Sequence, residues 1–377
     1  MMRMGRSVMS WRRCLSSLAA RHPALPRAPR GELLHDVAAH WQSLVASTDA
    51  GASLLRDGYC VLRNAFPAPF TALLRDEMRY LHATDQMYAN ATHIMLHGEQ
   101  QPTLLEKHHI VETELVFPEV RAQVPALQWF FDSQQVYSAL ERATPAWLGL
   151  SSYMIKLQYN EGHGGCFPMH FDSYGDDGKC ITAVLYLNDN WQEGDGGEIV
   201  LYPFPRSQKP VVMSPRDGDL VLFSSQQMLH RVLPASKPRF CLTTWIYANP
   251  NQRVAAQQRA AFYKSDVDLK TYRLAVMDKV MRSSIRRHLA KLAYSQEWET
   301  SLLQSHRHTP EFAKYMATHE REVGVIEAAT AQMLAKFRAK DPTQPSTIPE
   351  VASQLIETMQ DDDEMRRMLE KMSVPWF

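Results

Sequence analysis

Long apolar runs are missing from this 377-residue chain. None approaches the ~20 consecutive apolar residues that a membrane-spanning helix requires, so no membrane partner is expected. Cysteine is scarce and scattered: Cys14, Cys60, Cys166, Cys180 and Cys241 form no close pair and no C-x-x-C. That argues against a disulfide framework or a structural zinc knuckle, and for free thiols in a reducing compartment. Net charge is missing as well, since 41 basic side chains offset 41 acidic ones. The layout is uneven, however. Residues 1–31 carry seven arginines, four serines and no Asp or Glu, which leaves 34 basic against 41 acidic residues in the remainder. A mildly acidic body gives no reason to expect a nucleic-acid partner. An acid-free, Arg-rich, Ser-containing start has the composition of an organelle transit peptide, mitochondrial first and plastid next. The alternative is a disordered basic tail on a cytoplasmic protein.

With 45% hydrophobic residues the chain can bury a large core. Four segments are expected: 1–31, a transit peptide or basic tail; 50–150, an N-terminal α+β support region; 151–250, a β-rich domain; and 252–377, a helical extension. Gly58 opens the apolar run Tyr59 to Leu62, and Pro67 and Pro69 precede a segment in which Phe70, Leu73, Leu74, Met78 and Leu81 keep helical spacing. Residues 84–150 show no clear pattern beyond an apolar stretch around 124–148. In 151–250, short runs rich in Val, Ile, Leu, Tyr and Phe alternate with Gly, Pro and Asp. Strands are expected at 153–159, 168–172, 180–187, 198–203, 211–214, 219–224 and 239–247. Short strands at this pace mean a sandwich or barrel. Beyond 252, Leu274, Met277, Met281, Ile285, Leu289 and Leu292 line one side of a helical segment whose Arg282, Arg286, Arg287 and Lys291 read as a solvated face. The linker "AKDPTQPSTIPE" precedes a last helix, from Val351 to about Met372, with a Met-rich stripe expected to pack on the β-rich domain.

The stretch "MHFDSYGDDGKC" holds His170 and Asp172 two residues apart, on one face of an extended strand. Alone that spacing decides nothing. His230, beyond the strand "DLVLF" and the loop "SSQQML", supplies a third ligand. Two histidines and one carboxylate on a rigid β scaffold make the facial triad that holds non-haem Fe(II) and leaves positions open for oxygen chemistry. Nine residues further lies Arg239, heading "RFCLTTWIY", where Arg239, Cys241, Thr243, Trp245 and Tyr247 share a strand face. An arginine on that face calls for an anion. A 2-oxoglutarate molecule fits, its keto acid on the metal and its distal carboxylate on the guanidinium fork. Tyr186 and Thr243 stand where a hydroxyl can reach the same carboxylate, although a buried core role suits either equally well. "LEKHHIVETEL" sets His108 and His109 side by side. Adjacent residues point apart, so this reads as a polar connector or substrate-side loop rather than a second metal site.

The combination "HFD…GDGGEIVLYP…PRDGDLVLF…LHRVLPASKPRFCLTTWIY" resembles the prolyl 4-hydroxylase-type branch of the Fe(II)- and 2-oxoglutarate-dependent dioxygenases. It is similar in particular to the oxygen-sensing prolyl hydroxylases, over roughly 53–83 and 150–250. The resemblance implies a mostly β catalytic core, a double-stranded β-helix or jelly roll, with supporting helices and here a helical C-terminal extension. It implies Fe(II) on His170, Asp172 and His230, and 2-oxoglutarate held by Arg239, Tyr186 and Thr243, with Tyr159 lining the pocket near the cosubstrate. O2 would be the second cosubstrate, with ascorbate as an auxiliary reductant. The implied reaction hydroxylates an unactivated C–H bond, most readily a prolyl residue of a protein or peptide, with release of succinate and CO2. Because Asp172 is retained, no position is freed for a halide. Two departures bear on substrate choice: the loop from Tyr159 to His170 is one residue longer than in the oxygen sensors, and Lys179 stands where they carry arginine. The same chemistry on a small metabolite or another side chain, or an idle 2-oxoglutarate-responsive binding module, remain alternatives. Oligomeric state is not readable.

Overall fold

A computed structural model describes residues 24–94, 101–175, 177–204, 209–249, 286–339 and 376–377. Most of residues 1–31 and the expected helix from Val351 to Met372 lie outside the described residues, as do Leu274 to Ile285 of the segment after 252. The chain runs through helices α1 (Gly31–Ser47) and α2 (Ala50–Asp57), strand β1 (Tyr59–Leu62) and helix α3 (Ala68–Ala83). Strands β2 (Tyr88–Ile94) and β3 (Thr103–Glu114) follow, then α4 (Pro118–Arg121), α5 (Pro125–Ser133) and α6 (Gln135–Ala143). Next come β4 (Leu150–Asn160), β5 (Gly165–His170), β6 (Lys179–Tyr186) and β7 (Ile199–Tyr202). The β region closes with β8 (Val211–Met213), β9 (Leu220–Ser224), β10 (Leu229–Ala235) and β11 (Arg239–Ala248). Helices α7 (Arg286–Ala293), α8 (Ser295–Ser305) and α9 (Pro310–Arg338) end the described elements. No helix among the described residues is long and apolar enough to cross a membrane.

Two antiparallel sheets face one another. The larger has the order β1-β9-β6-β11-β4-β3-β2 and the smaller β5-β10-β7-β8. This is the jelly roll the sequence led us to expect, with helices at both ends of the chain. The larger sheet is buried on both sides, by the smaller sheet on one and by the N-terminal helices on the other. For that reason β6 and β9 read as continuous apolar runs rather than as alternations. Pro67 and Pro69 start α3 as expected, and Phe70, Leu74, Met78 and Leu81 of its apolar side are fully buried. Glu77, on the same buried side, accepts backbone N–H bonds from Ala126 and Leu127 at 2.8 and 2.7 Å, so the first turn of α5 is capped from α3.

The strand set is larger than expected. His230, beyond the loop as expected, lies in β10, a strand not among those expected, which pairs with β5 so that His230 sits opposite His170. Residues 84–150 contain β2 and β3, which extend the large sheet beyond β4. His108 and His109 belong to the twelve-residue β3, where His109 has a φ of 55° and breaks the alternation of the strand.

The last described residues enter the core. Trp376 is 1% exposed, its indole N–H donates to the Arg56 carbonyl at 3.2 Å, and the Ser224 hydroxyl donates to its backbone oxygen. Gly58 ends α2 at φ 78°, and a Cβ there would stand 2.4 Å from the Trp376 ring, so both the conformation and the indole demand glycine.

Candidate active site

Each element of the triad has a local reason for its place. The β5–β10 pairing brings the imidazoles of His170 and His230 together with ring centroids 4.2 Å apart. Each Nδ1–H donates to a backbone carbonyl two residues earlier, His170 to Pro168 at 2.7 Å and His230 to Met228 at 3.1 Å. That fixes the tautomer and leaves both Nε2 atoms as acceptors, facing the Asp172 carboxylate at 3.4 and 3.8 Å. Asp172 leaves the end of β5 at a bend, and its second oxygen accepts from the Thr182 hydroxyl of β6 at 2.6 Å. The ligand atoms of His170, Asp172 and His230 all lie within 4.8 Å of one another. Burial opposes ionisation of Asp172, but the two imidazoles and Thr182 outweigh it and hold the carboxyl well below the usual range. Burial, reinforced by His170, pushes His230 down to about 4. At neutral pH the cluster is therefore an anionic carboxylate with a neutral His230 imidazole. Such a donor set, closed on one side by β strands, suits a divalent iron that keeps open positions.

The cosubstrate expectations meet a specific geometry. Arg239 is 4% exposed and points along the face of β11 that looks toward the small sheet. Its guanidinium lies 5.0 Å above the Tyr186 ring and donates to the Cys241 sulfur at 3.3 Å. Gly197 makes room for it, since at φ 78° a Cβ would stand 2.7 Å from the Arg239 side chain. Tyr186 Oη, Arg239 Nε and Trp245 Nε1 are buried without a hydrogen-bond partner of good geometry, and all three residues line one cleft of about 670 Å³ that also contains the triad. Orphaned buried donors are costly, and an anion lying on Arg239 and Tyr186 would satisfy them. The residues present fit a dicarboxylate between the metal and Arg239. Thr243 lines the same cleft, but its hydroxyl donates to Gln158 at 2.8 Å.

Tyr159 is not part of this surface. In the β4–β11 register Phe240 faces Tyr159, while Cys241 faces Gln158 and Thr243 faces Lys156. Side chains alternate along a strand, so Gln158 and Lys156 point into the cleft and Tyr159 points to the other side. There it stacks on Phe240 at 4.5 Å and meets the edge of His82 at 4.7 Å.

Several cleft residues escaped the sequence reading. Asn90 and Thr92 of β2 and Lys107 of β3 line the cleft from one sheet edge, and Lys291, Trp298 and Tyr315 of the C-terminal helices line it too, with His306, which follows α8 and bridges to Lys107. Leu105 and Lys107 are two apart and both buried, a strand signal that the neighbouring His-His pair obscured. Helix α8 also grips the metal strands from behind. Ser301, 0% exposed, accepts the backbone N–H of Met169 at 2.9 Å, and Arg231 donates to Gln304 at 2.7 Å. Each contact is made by the residue next to a triad histidine.

Fold and site together define a jelly-roll protein with a non-haem metal triad and a buried arginine for an acidic cosubstrate. Residues 154–247 match the model of the 2OG-Fe(II) oxygenase superfamily, and relatives to which the chain is similar are prolyl hydroxylases. It is 38% identical over 94 residues to the hypoxia-inducible factor prolyl hydroxylase of Caenorhabditis elegans, covering 24% of this chain and 13% of that protein. It is 31% identical over 99 residues to the human prolyl hydroxylase EGLN3, covering 26% of this chain and 41% of that one. The matches thus span well under two thirds of either relative. Among solved structures, a prolyl 4-hydroxylase from Phytophthora capsici superposes with a TM-score of 0.64 at 27% identity, over 84% of this chain and 95% of that one.

Proposed function

We propose that this protein is an Fe(II)- and 2-oxoglutarate-dependent dioxygenase that hydroxylates a prolyl residue of a protein or peptide. The observation that carries the reading is one cleft holding both the triad and the orphaned donors of Arg239 and Tyr186. Similarity to prolyl hydroxylases over the same residues supports the prolyl substrate.

Fe(II) held by His170, Asp172 and His230 would, with 2-oxoglutarate and O2, supply the oxidising power that converts C–H to C–OH as the cosubstrate becomes succinate and CO2. The chain contributes placement. Carbonyls of Pro168 and Met228 orient the two imidazoles, and Thr182 orients the carboxylate. Arg239 binds the far end of the cosubstrate through its fork, which sets the distance from that carboxylate to the metal. Phe223 packs against His230 with ring centroids 4.5 Å apart and keeps water from that side of the ligand. Ascorbate would serve only to restore Fe(II) after unproductive turnover.

The test is turnover of proline-containing peptides with Fe(II), 2-oxoglutarate and O2, reading succinate and a 16 Da gain on proline by mass spectrometry. Matched production of both supports the reading, and succinate with no modified proline in any peptide removes the prolyl substrate. We also propose mitochondrial import, supported by the composition of residues 1–31. A reporter fused to that segment should enter mitochondria, and a reporter that stays in the cytosol overturns the assignment.

A further inference from the structure

Lys107 is the unusual cation of the cleft. Lys156 pairs with Glu112 at 2.9 Å and Glu114 at 3.4 Å, Lys179 with Asp177 at 3.1 Å, and Lys291 with Glu322. Lys107, 9% exposed, has no carboxylate within ion-pair distance among the described residues. Its ammonium donates to Asn90 Oδ1 at 2.6 Å and Thr92 Oγ1 at 2.9 Å, and it lies 5.4 Å from the centre of the Phe167 ring. An ammonium has three protons to donate, and these neutral oxygens take two of them. Lys107 itself lines the cleft.

The surroundings are arranged around this cation rather than against it. Asn90 turns its amide N–H to Glu112, which holds its oxygen toward Lys107. Glu112 is itself occupied by Lys156, so it does not neutralise Lys107 directly. His306 lies alongside, its Nε2 3.3 Å from the same Thr92 hydroxyl. Burial brings Lys107 down to about 8, the mark of a charge kept in a dry place without its own anion. Lys156, Lys179 and Lys291 have carboxylates of their own, so among the described residues Lys107 and Arg239 are the cations of the cleft without one. A dicarboxylate cosubstrate on Arg239 would leave Lys107 as the remaining one.

We propose that Lys107, with Asn90 and Thr92, is a subsite for an acidic residue of the peptide substrate. The inference rests on the prolyl hydroxylase reading and deepens it. Phe167, against which Lys107 packs, is three residues before His170, but a bulge in β5 sets the two opposite Val232 and His230, two apart on β10, so Phe167 lies roughly 7 Å along the sheet from His170 at ~3.3 Å per residue. An extended peptide rises by the same amount per residue. A Glu or Asp about two residues from the target proline would therefore reach Lys107.

The experiment is equilibrium binding of fluorescein-labelled proline peptides to the Fe(II)- and 2-oxoglutarate-loaded protein without oxygen, followed by anisotropy. Peptides carrying Glu two residues before or after proline are compared with their Gln counterparts. One Glu peptide should bind about tenfold or more tightly than its Gln partner, and the preference should vanish in Lys107→Gln and persist in Lys107→Arg. Equal binding of Glu and Gln peptides by the wild type, no binding of any of them, or a preference that survives Lys107→Gln overturns the proposal. The wild-type comparison decides even if a Lys107 variant fails to fold. Admitting oxygen then tests the underlying reading separately: a Glu preference in binding without hydroxylated proline would keep the acidic subsite and remove the prolyl reaction.

Discussion

Arg239 owes its position to three neighbours, two of them distant in sequence: the Tyr186 ring beneath it, the missing Cβ of Gly197 beside it, and the Cys241 sulfur two residues ahead on the same strand. Removing one partner of a charge pair in such a dry site typically costs ~2–5 kcal/mol, or roughly 30- to 3,000-fold in affinity. Arg239→Ala should raise the Michaelis constant for 2-oxoglutarate by about that factor while Fe(II) affinity stays close to wild type. Arg239→Lys should fall between, since it keeps charge but loses the fork. Steady-state kinetics over 2-oxoglutarate checks this, and an unchanged constant in Arg239→Ala would remove the cosubstrate role. Gly197→Ala is expected to act in the same direction without touching a charge, because the new methyl displaces the Arg239 stem. The triad and Arg239 were legible in the sequence because ligand chemistry is carried by residue type and spacing. Lys107 was not. A buried lysine looks like any surface lysine until the fold supplies Asn90 and Thr92.

Among the elements, α8 is the one whose contribution to the site is least apparent from sequence. Ser301 and Gln304 hold Met169 and Arg231, each beside a triad histidine. Outer contacts that orient metal ligands typically cost 10- to 100-fold in metal affinity when lost. Ser301→Ala should thus weaken Fe(II) binding toward that range, with the Michaelis constant for 2-oxoglutarate little changed at saturating iron. Metal titration distinguishes this from general destabilisation, which would affect both. Strand recognition failed in instructive places. The β10 sequence "LHRVLPA" carries Pro234 and follows a polar loop, so it lacks the alternation that marks a strand. β2 and β3 mix polar residues into buried positions because one side of them is a ligand cleft. Tyr159 was placed on the wrong side for a related reason: parity along β4 is set by its register with β11, and register is a tertiary property.

At the scale of the whole molecule, distant parts of the chain meet around the large sheet. Trp376 fills the space above Gly58 and stacks under Arg286, 5.2 Å from the ring centre, so α2, β9, α7 and Trp376 share one contact. Burying a tryptophan this fully makes its loss expensive, and Trp376→Ala should destabilise the protein by about 3–5 kcal/mol. Denaturant unfolding checks this; a midpoint within error of wild type would show that the indole is not part of the cooperative core. The pace of short strands led to a sandwich or barrel, and the resemblance to prolyl hydroxylases implied that it is a jelly roll. The joining of helices α7 to α9 to the cleft was not, since nothing in an amphipathic helix names the surface it will cover. The central claim is that this fold couples oxygen to the oxidation of 2-oxoglutarate at His170, Asp172 and His230. Turnover under ¹⁸O2 with mass spectrometry of the succinate tests it most directly. The account predicts one labelled oxygen in the succinate and none formed by Asp172→Ala, whereas unlabelled succinate, or equal labelled product from Asp172→Ala, would contradict it.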